Sequence, residues 1–191
     1  MDWDARYQEG DTPWEKGSPA PPLDEIGEKL GNEIWGEGSV LVPGCGFGHD
    51  ARWIAAQGMS VKGLDVSQLA VEEARKRTEG ENPTFELGDF FEPVAGSCSA
   101  VFEHTCFCAI DPSQRASYAA AAAKWLQPGG HLVAIFFLNP DHESGPPFGC
   151  TLTELDGLFG DYFELQQEWE PQVSYPGREG REWVRVYRKA R

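Results

Sequence analysis

Apolar and polar positions divide the chain into alternating short strands and helices. Ser39 to Val42 is a short apolar run ending at Pro43-Gly44, the mark of a buried strand entering a turn. Asp50 to Gln57 has helical character, with Gly58 as its stop. Ser60 to Val66 alternates as a second strand. Ser67 then caps a helix running to about Thr78. Thr84 to Leu87 and Cys98 to Phe102 give strands three and four. Asp111-Pro112, with Gln114 at capping-box spacing, starts an alanine-rich helix to Leu126. Pro128-Gly129-Gly130 breaks it, and His131 to Leu138 is the most apolar strand, expected at the centre of the sheet. Thr151 to Glu154 has capping-box spacing before a short helix. Phe163 to Trp169 and Glu182 to Arg188 alternate with a Pro176-Gly177 connection, an antiparallel pair at the end of the sheet. Leu23, Ile26 and Leu30 give a short helical spacing, and residues 1–22 read as irregular. This alternation predicts a doubly wound α/β fold with a mostly parallel sheet, its last strands antiparallel, and a ligand site at the strands' carboxyl ends.

Composition narrows the function. The 191 residues suit one domain, and 40% hydrophobic residues suffice for a core. A net charge of −15 argues against nucleic acid and against an anionic membrane surface as partners. No apolar run approaches a membrane span, and MDWDARYQEG lacks the features of a secretory signal, so a cytoplasmic location is expected. Five cysteines without framework spacing suggest reduced thiols, and Cys106 and Cys108 lack a second ligand pair for zinc. The charge is uneven, since residues 1–50 hold 11 acids and 3 bases.

The most informative segment is Val40-Leu41-Val42-Pro43-Gly44-Cys45-Gly46-Phe47-Gly48-His49-Asp50. Alternating glycines between strand and helix allow a tight turn and close approach of a ligand to the backbone. Asp65 lies 21 residues after Gly44, at the end of the second strand, where a carboxylate can accept both hydroxyls of a ribose. The alternative is a tight turn without a ligand. A dinucleotide fingerprint needs glycine where this chain has His49, so the pattern is G-x-G-x-G.

That pattern resembles the first motif of class I S-adenosylmethionine-dependent methyltransferases. Asp65 then matches the ribose acid, and Asp89-Phe90 the acid-aromatic pair beside adenine. VPGCGFGHD resembles a narrower group, the halide/thiol methyltransferase branch of the thiopurine S-methyltransferase-like family. Trp3-Asp4 through Thr12-Pro13-Trp14-Glu15 resembles its N-terminal signature, and Gly63 to Ser67 its second motif. Phe107 to Pro112 resembles its FCAIEP segment, followed by Arg115, and Asp141-His142 with Gly145 to Phe148 resembles its DH…GGPPY loop. The resemblance implies a seven-stranded sheet with an N-terminal cap. It divides the single domain, 1–191, into a cap or lid (1–35) and a Rossmann-like cofactor-binding core (36–191). It implies S-adenosyl-L-methionine as cofactor, near Trp14, Gly44, Cys45, Gly46, Gly48, Asp65, Val66, Asp89, Phe90 and Glu103. Trp3 and Phe137 fall on the acceptor side. Plant halide enzymes of this type have DYVFF where this chain has Glu103-His104-Thr105-Cys106-Phe107, and tyrosine near Phe137.

These readings converge on methyl transfer to a small thiol or sulfide by in-line displacement. Methylation of a halide, of oxidised selenium or tellurium, or of a secondary metabolite stands as an alternative, as does binding without turnover. A thiol is partly ionised at neutral pH, so a strong base is optional. His104 is a candidate base or a hydrogen-bonded structural histidine. Arg115 either steadies an anionic acceptor or is a surface residue in the first helical turn. Trp3, Tyr7 and Trp14 suit a water-excluding lid or simple docking of the arm. Cys106 is a nucleophile only with a paired base; otherwise it is a buried spectator. The expected partner is a small-molecule acceptor, and the expected state a monomer or weak dimer. The acid-rich first 50 residues would attract a cofactor of net charge near +1.

Overall fold

A computed structural model describes residues 1–138 and 145–190. Its apolar runs form one seven-stranded sheet, β1 (Ser39–Pro43), β2 (Ser60–Asp65), β3 (Thr84–Leu87), β4 (Cys98–His104), β5 (Leu126–Phe137), β6 (Phe163–Trp169) and β7 (Glu182–Lys189). The spatial order is β3-β2-β1-β4-β5-β7-β6. Strands β1 to β5 run parallel. β7 pairs antiparallel with both β5 and β6, so it alone is reversed. Helices α2 (Pro22–Leu30), α3 (His49–Ala56) and α4 (Gln68–Lys76) contribute to the core on one face, and α5 (Arg115–Trp125) and α6 (Leu152–Phe159) on the other.

Period-two alternation explains this division. Along β5, Leu132, Ala134 and Phe136 enter the core with Tyr118, Trp125 and Phe159, whereas Val133 and Ile135 enter the core with Leu23, Ile26 and Trp35. The middle of the sheet falls to β4, one place from the expected His131–Leu138 run. All seven residues of β4 are buried.

Two local expectations give way to the structure. Residues 1–22 contain a helix, α1 (Trp3–Glu9). Asp2 accepts from Ala5 N at 3.0 Å at its start, and Gly10 closes it in the left-handed region. A helix this short gives little periodic signal, and only its caps marked it. Pro128-Gly129-Gly130 does not separate helix from strand. Leu126 already pairs with Cys98, and the ladder resumes at Ala100 and His131, so the Pro-Gly-Gly segment lies in an irregularity inside β5.

The parallel order leaves the carboxyl ends of β1, β2 and β4 side by side, and the functional residues gather there. Gly48 shows how tightly this edge is packed. Its φ is +78°, and a Cβ there would meet the Phe85 ring at 2.5 Å. Gly48→Ala is therefore expected to lower the unfolding free energy by about 2–4 kcal/mol, read by chemical denaturation. An unchanged midpoint would refute this packing.

Candidate active site

After β1, Gly44, Gly46 and Gly48 adopt φ of 56°, 51° and 78°. Only glycine holds such a succession without strain. Gly48 N donates to Cys45 O at 2.8 Å, closing the turn into α3. The turn is gripped on both sides. A Cβ on Gly44 would meet Cys106 Cβ at 3.0 Å, and one on Gly46 the Tyr7 hydroxyl at 3.4 Å.

Asp65 ties this turn to the next strand. Its Oδ2 accepts from Gly46 N at 2.8 Å and its Oδ1 from Ser67 N at 2.9 Å. Burial lifts its carboxyl above the usual range, against the pull of those donors. Ser67 N-caps α4 through Ala70 N, as its position predicts. Its hydroxyl also donates to Asp4 Oδ1 at 2.5 Å, and Leu69 N donates to the same oxygen at 3.3 Å. Asp4 thus docks α1 on the start of α4.

These residues border a cavity of about 720 Å³. Its floor includes Gly44, Leu64, Asp65 and Val66, and one side carries Gly88, Asp89, Phe90 and Phe91. Met1, Trp3, Arg6, Tyr7, Pro13 and Trp14 line it from the N-terminal segment. Trp14 Nε1 donates to the Tyr7 hydroxyl at 3.1 Å, Trp3 packs edge-on to Trp14, and the Arg6 guanidinium lies 4.4 Å from the Trp14 ring centre. The remaining wall carries Thr105, Cys106, Cys108, Ile110, Phe148 and Arg178. Thr105 has φ 67°, a strained conformation for a β-branched residue and one that recurs at functional sites. The size suits a nucleoside-sized ligand with a small second molecule. The residues fit S-adenosylmethionine on the glycine cradle that a Cβ would fill and on the buried carboxylate beside it.

The structure brings Trp3, Trp14, Gly44, Asp65, Val66, Asp89 and Phe90 to this cavity. Phe90 is mostly committed to the core, with its ring 4.6 Å from Tyr118. Cys45 and Gly46 line a small adjoining chamber with His49, Asp50 and His104. Gly48 supports the turn from below. The other four candidates lie outside the main cavity wall. Glu103 is buried, accepting from Phe107 N at 2.7 Å and from the Tyr118 hydroxyl. Arg115 is buried rather than exposed. It pairs with Glu154 at 2.7 Å and donates to Phe148 O and Gly149 O, bracing the Pro-Pro-Phe segment that lines the cavity. Phe137 lies beneath the Arg178 guanidinium, 5.4 Å from its ring centre. Asp141 and His142 lie outside the described residues.

His104 faces Asp50 Oδ2 through Nδ1 at 2.8 Å and Glu182 Oε1 through Nε2 at 3.9 Å. Burial opposes its cation, but the two carboxylates outweigh burial and hold its pKa up at about 9. It therefore keeps its proton at neutral pH and does not serve there as a base. Burial raises the Cys106 thiol well above its usual value and pushes Cys108 up to about 12, so both stay protonated. Sequence reasoning missed Arg178, Phe91, Thr105 and Ile110. Arg178 follows a Pro-Gly connection, and its approach to the site depends on β7 inserting beside β5.

Raising the pH has a definite sign here. His104 loses its proton near 6.5 when unfolded and near 9 when folded, so its contribution is complete below 6.5 and fades toward 9. Burial lifts Glu103 to about 7, so its contribution fades between its ordinary carboxyl range and 7. Unfolding free energy should fall by about 1–3 kcal/mol from pH 6 to 8.5. His104→Gln should flatten the upper half of that decline in denaturant titrations.

Comparison with known proteins gives a consistent result. The family model for thiopurine S-methyltransferase matches residues 1–186. Thiocyanate methyltransferase 1 of Brassica oleracea is 31% identical, covering 98% of this chain and 84% of its own length. Probable thiol methyltransferase 2 of Arabidopsis thaliana is 35% identical, covering 81% and 69%. Among solved structures, the 1,6-didemethyltoxoflavin-N1-methyltransferase of Burkholderia thailandensis, with bound S-adenosylhomocysteine, superposes with a TM-score of 0.70 at 20% identity. It covers all of this chain and 86% of its own, and shows the same fold.

Proposed function

The chain belongs to the thiopurine S-methyltransferase family, whose members are S-adenosylmethionine-dependent methyltransferases, and we propose that its acceptor is a small thiol or sulfide. One observation carries the acceptor reading. Beside Cys108 the cavity wall is largely apolar and carries a cation, Arg178, but the imidazole of His104 behind it keeps its proton at neutral pH. A nucleophile that ionises readily by itself, and gains from a nearby cation as a thiolate, suits this wall better than an alcohol needing a base.

When bound, S-adenosylmethionine supplies a sulfonium methyl group for in-line displacement. In our reading the protein's own residues prepare that displacement. Asp65 presents its carboxylate to the ribose, while its bonds to Gly46 N and Ser67 N fix its direction. Gly44 and Gly46 leave room for the backbone to approach the ligand, and Asp89 and Phe91 form the adenine side. Trp3, Tyr7 and Trp14 would exclude water and give a cationic sulfur aromatic surroundings. Arg178 favours the anionic acceptor, and Arg115 holds the loop bearing Phe148. Glu103 and His104 support this frame from behind.

We narrow the lid to about residues 1–18. Leu23, Ile26 and Trp35 are buried in the core and belong with residues 36–191. Five free cysteines fit a reducing cytoplasm, and no helix among the described residues is long and apolar enough to cross a membrane. A monomer or weak dimer acting on a small molecule completes the proposal.

Arg178 also favours a second reading, transfer to a small anion such as thiocyanate, the substrate class in the Brassica relative's name. Incubation with methyl-labelled cofactor and a panel of thiols, sulfide, thiocyanate and halides separates these. Label in thiols or sulfide supports the proposal. Label only in an oxygen or nitrogen acceptor refutes it, and tight cofactor binding without product indicates a binding protein. Asp65→Ala should weaken cofactor binding by about 1.5–3 kcal/mol through lost charge-assisted hydrogen bonds. Unchanged affinity by calorimetry would contradict the ribose assignment.

A further inference from the structure

Four charged side chains form a line behind the acceptor end of the cavity. Asp50, in the first turn of α3, meets His104 Nδ1 at 2.8 Å at the end of β4. His104 Nε2 faces Glu182 Oε1 at 3.9 Å at the start of β7, and Arg178 Nη1 meets the same oxygen at 3.1 Å. Only Arg178 reaches the main cavity. His104 and Glu182 are buried, and His104 Nε2 has no hydrogen-bond partner. The charges alternate in sign. Tyr175 stacks on the His104 ring at 6.2 Å and donates to Ser18 O, the small chamber that His104 lines also holds Lys16 and the Glu15–His49 pair, and Glu103, the preceding residue, bonds to Phe107 and Tyr118.

We propose that His104 is a positioning residue for methyl transfer, acting through Glu182 to leave the Arg178 guanidinium facing the acceptor. This rests on the reading of Arg178 as the acceptor-side cation. With His104 charged, the line is neutral and Glu182 is shared between two cations. Without that charge the line carries a net negative charge, and Glu182 draws on Arg178 alone. At low local dielectric such a change is felt across the cavity wall. Burial disfavours an ionised Glu182, but His104, a hydrogen bond from Ser174 and Arg178 together outweigh it and keep its carboxyl below its ordinary value, so it stays negative across the working range.

The test follows kcat/KM against pH with an aromatic thiol already ionised at pH 7, so that the nucleophile does not titrate. The wild-type protein should show an alkaline decline near pH 9. His104→Gln should remove that decline and raise the acceptor KM roughly tenfold at pH 7, about the effect of one partly screened charge. Its cofactor affinity should hold. Glu182→Gln should also remove the decline but keep KM low, because Arg178 is then free of its competitor. General loosening of the fold would not produce that opposition. A flat wild-type profile overturns the inference, as does a His104→Gln protein with unchanged KM and pH profile. If His104→Gln does not fold, the wild-type profile and Glu182→Gln decide. Absence of transfer to any thiol or to sulfide at pH 7 overturns the acceptor reading, and this inference with it. Transfer with a flat profile overturns the inference alone.

Discussion

The Asp65 carboxylate is the point on which the site depends. One oxygen accepts from Gly46 N and fixes the turn after β1; the other accepts from Ser67 N and fixes the start of α4. Through Ser67 the same point reaches Asp4, which docks α1. Turn, strand end, the start of α4 and α1 therefore share one buried carboxylate. A carboxylate in low dielectric is costly unless it is bonded, and these donors offset part of that cost while leaving the residue on the cavity wall. The glycine turn, the start of α4 and α1 are thus assembled as a unit at the cavity's edge.

The acidity of the N-terminal segment takes on a more local meaning. Asp2 caps α1, Asp4 holds Ser67 and Leu69, Asp11 pairs with Arg6, and Glu15 meets His49. Asp24 accepts from Trp53, Glu25 from Gln172 N, and Asp50 from Ala20 N. These carboxylates are fasteners of a Gly- and Pro-rich arm that has little regular structure to satisfy its own donors. The field of a net charge of −15 acts on a cationic ligand as well, but each of these acids has a specific structural partner.

Much of the site was legible in order along the chain. The glycine turn, Asp65 and Asp89 are set by local chemistry, because a strand-to-helix turn at positive φ and a carboxylate at a strand end leave marks within a few residues. The same holds for the Ser67 and Thr151 caps. His104 and Arg115 were legible as chemically capable residues, but their roles were open. The structure gives each a partner distant in sequence, Asp50 and Glu182 for one, Glu154 and two loop carbonyls for the other. The misread Pro-Gly-Gly segment has a similar cause. Its conformation answers to the neighbouring strand, which no local pattern contains.

The sequence by itself determined the alternating α/β order, the glycine turn and the family, since these follow from periodicity and from residue types at short spacing. Tertiary structure decided which side chains complete the cavity wall. Arg178 arrives there because β7 runs antiparallel between β5 and β6, and the proton on His104 is held by carboxylates from α3 and β7. Burial and charge pairing between distant segments set the electrostatics of that wall, and neither is a property of any single stretch of chain.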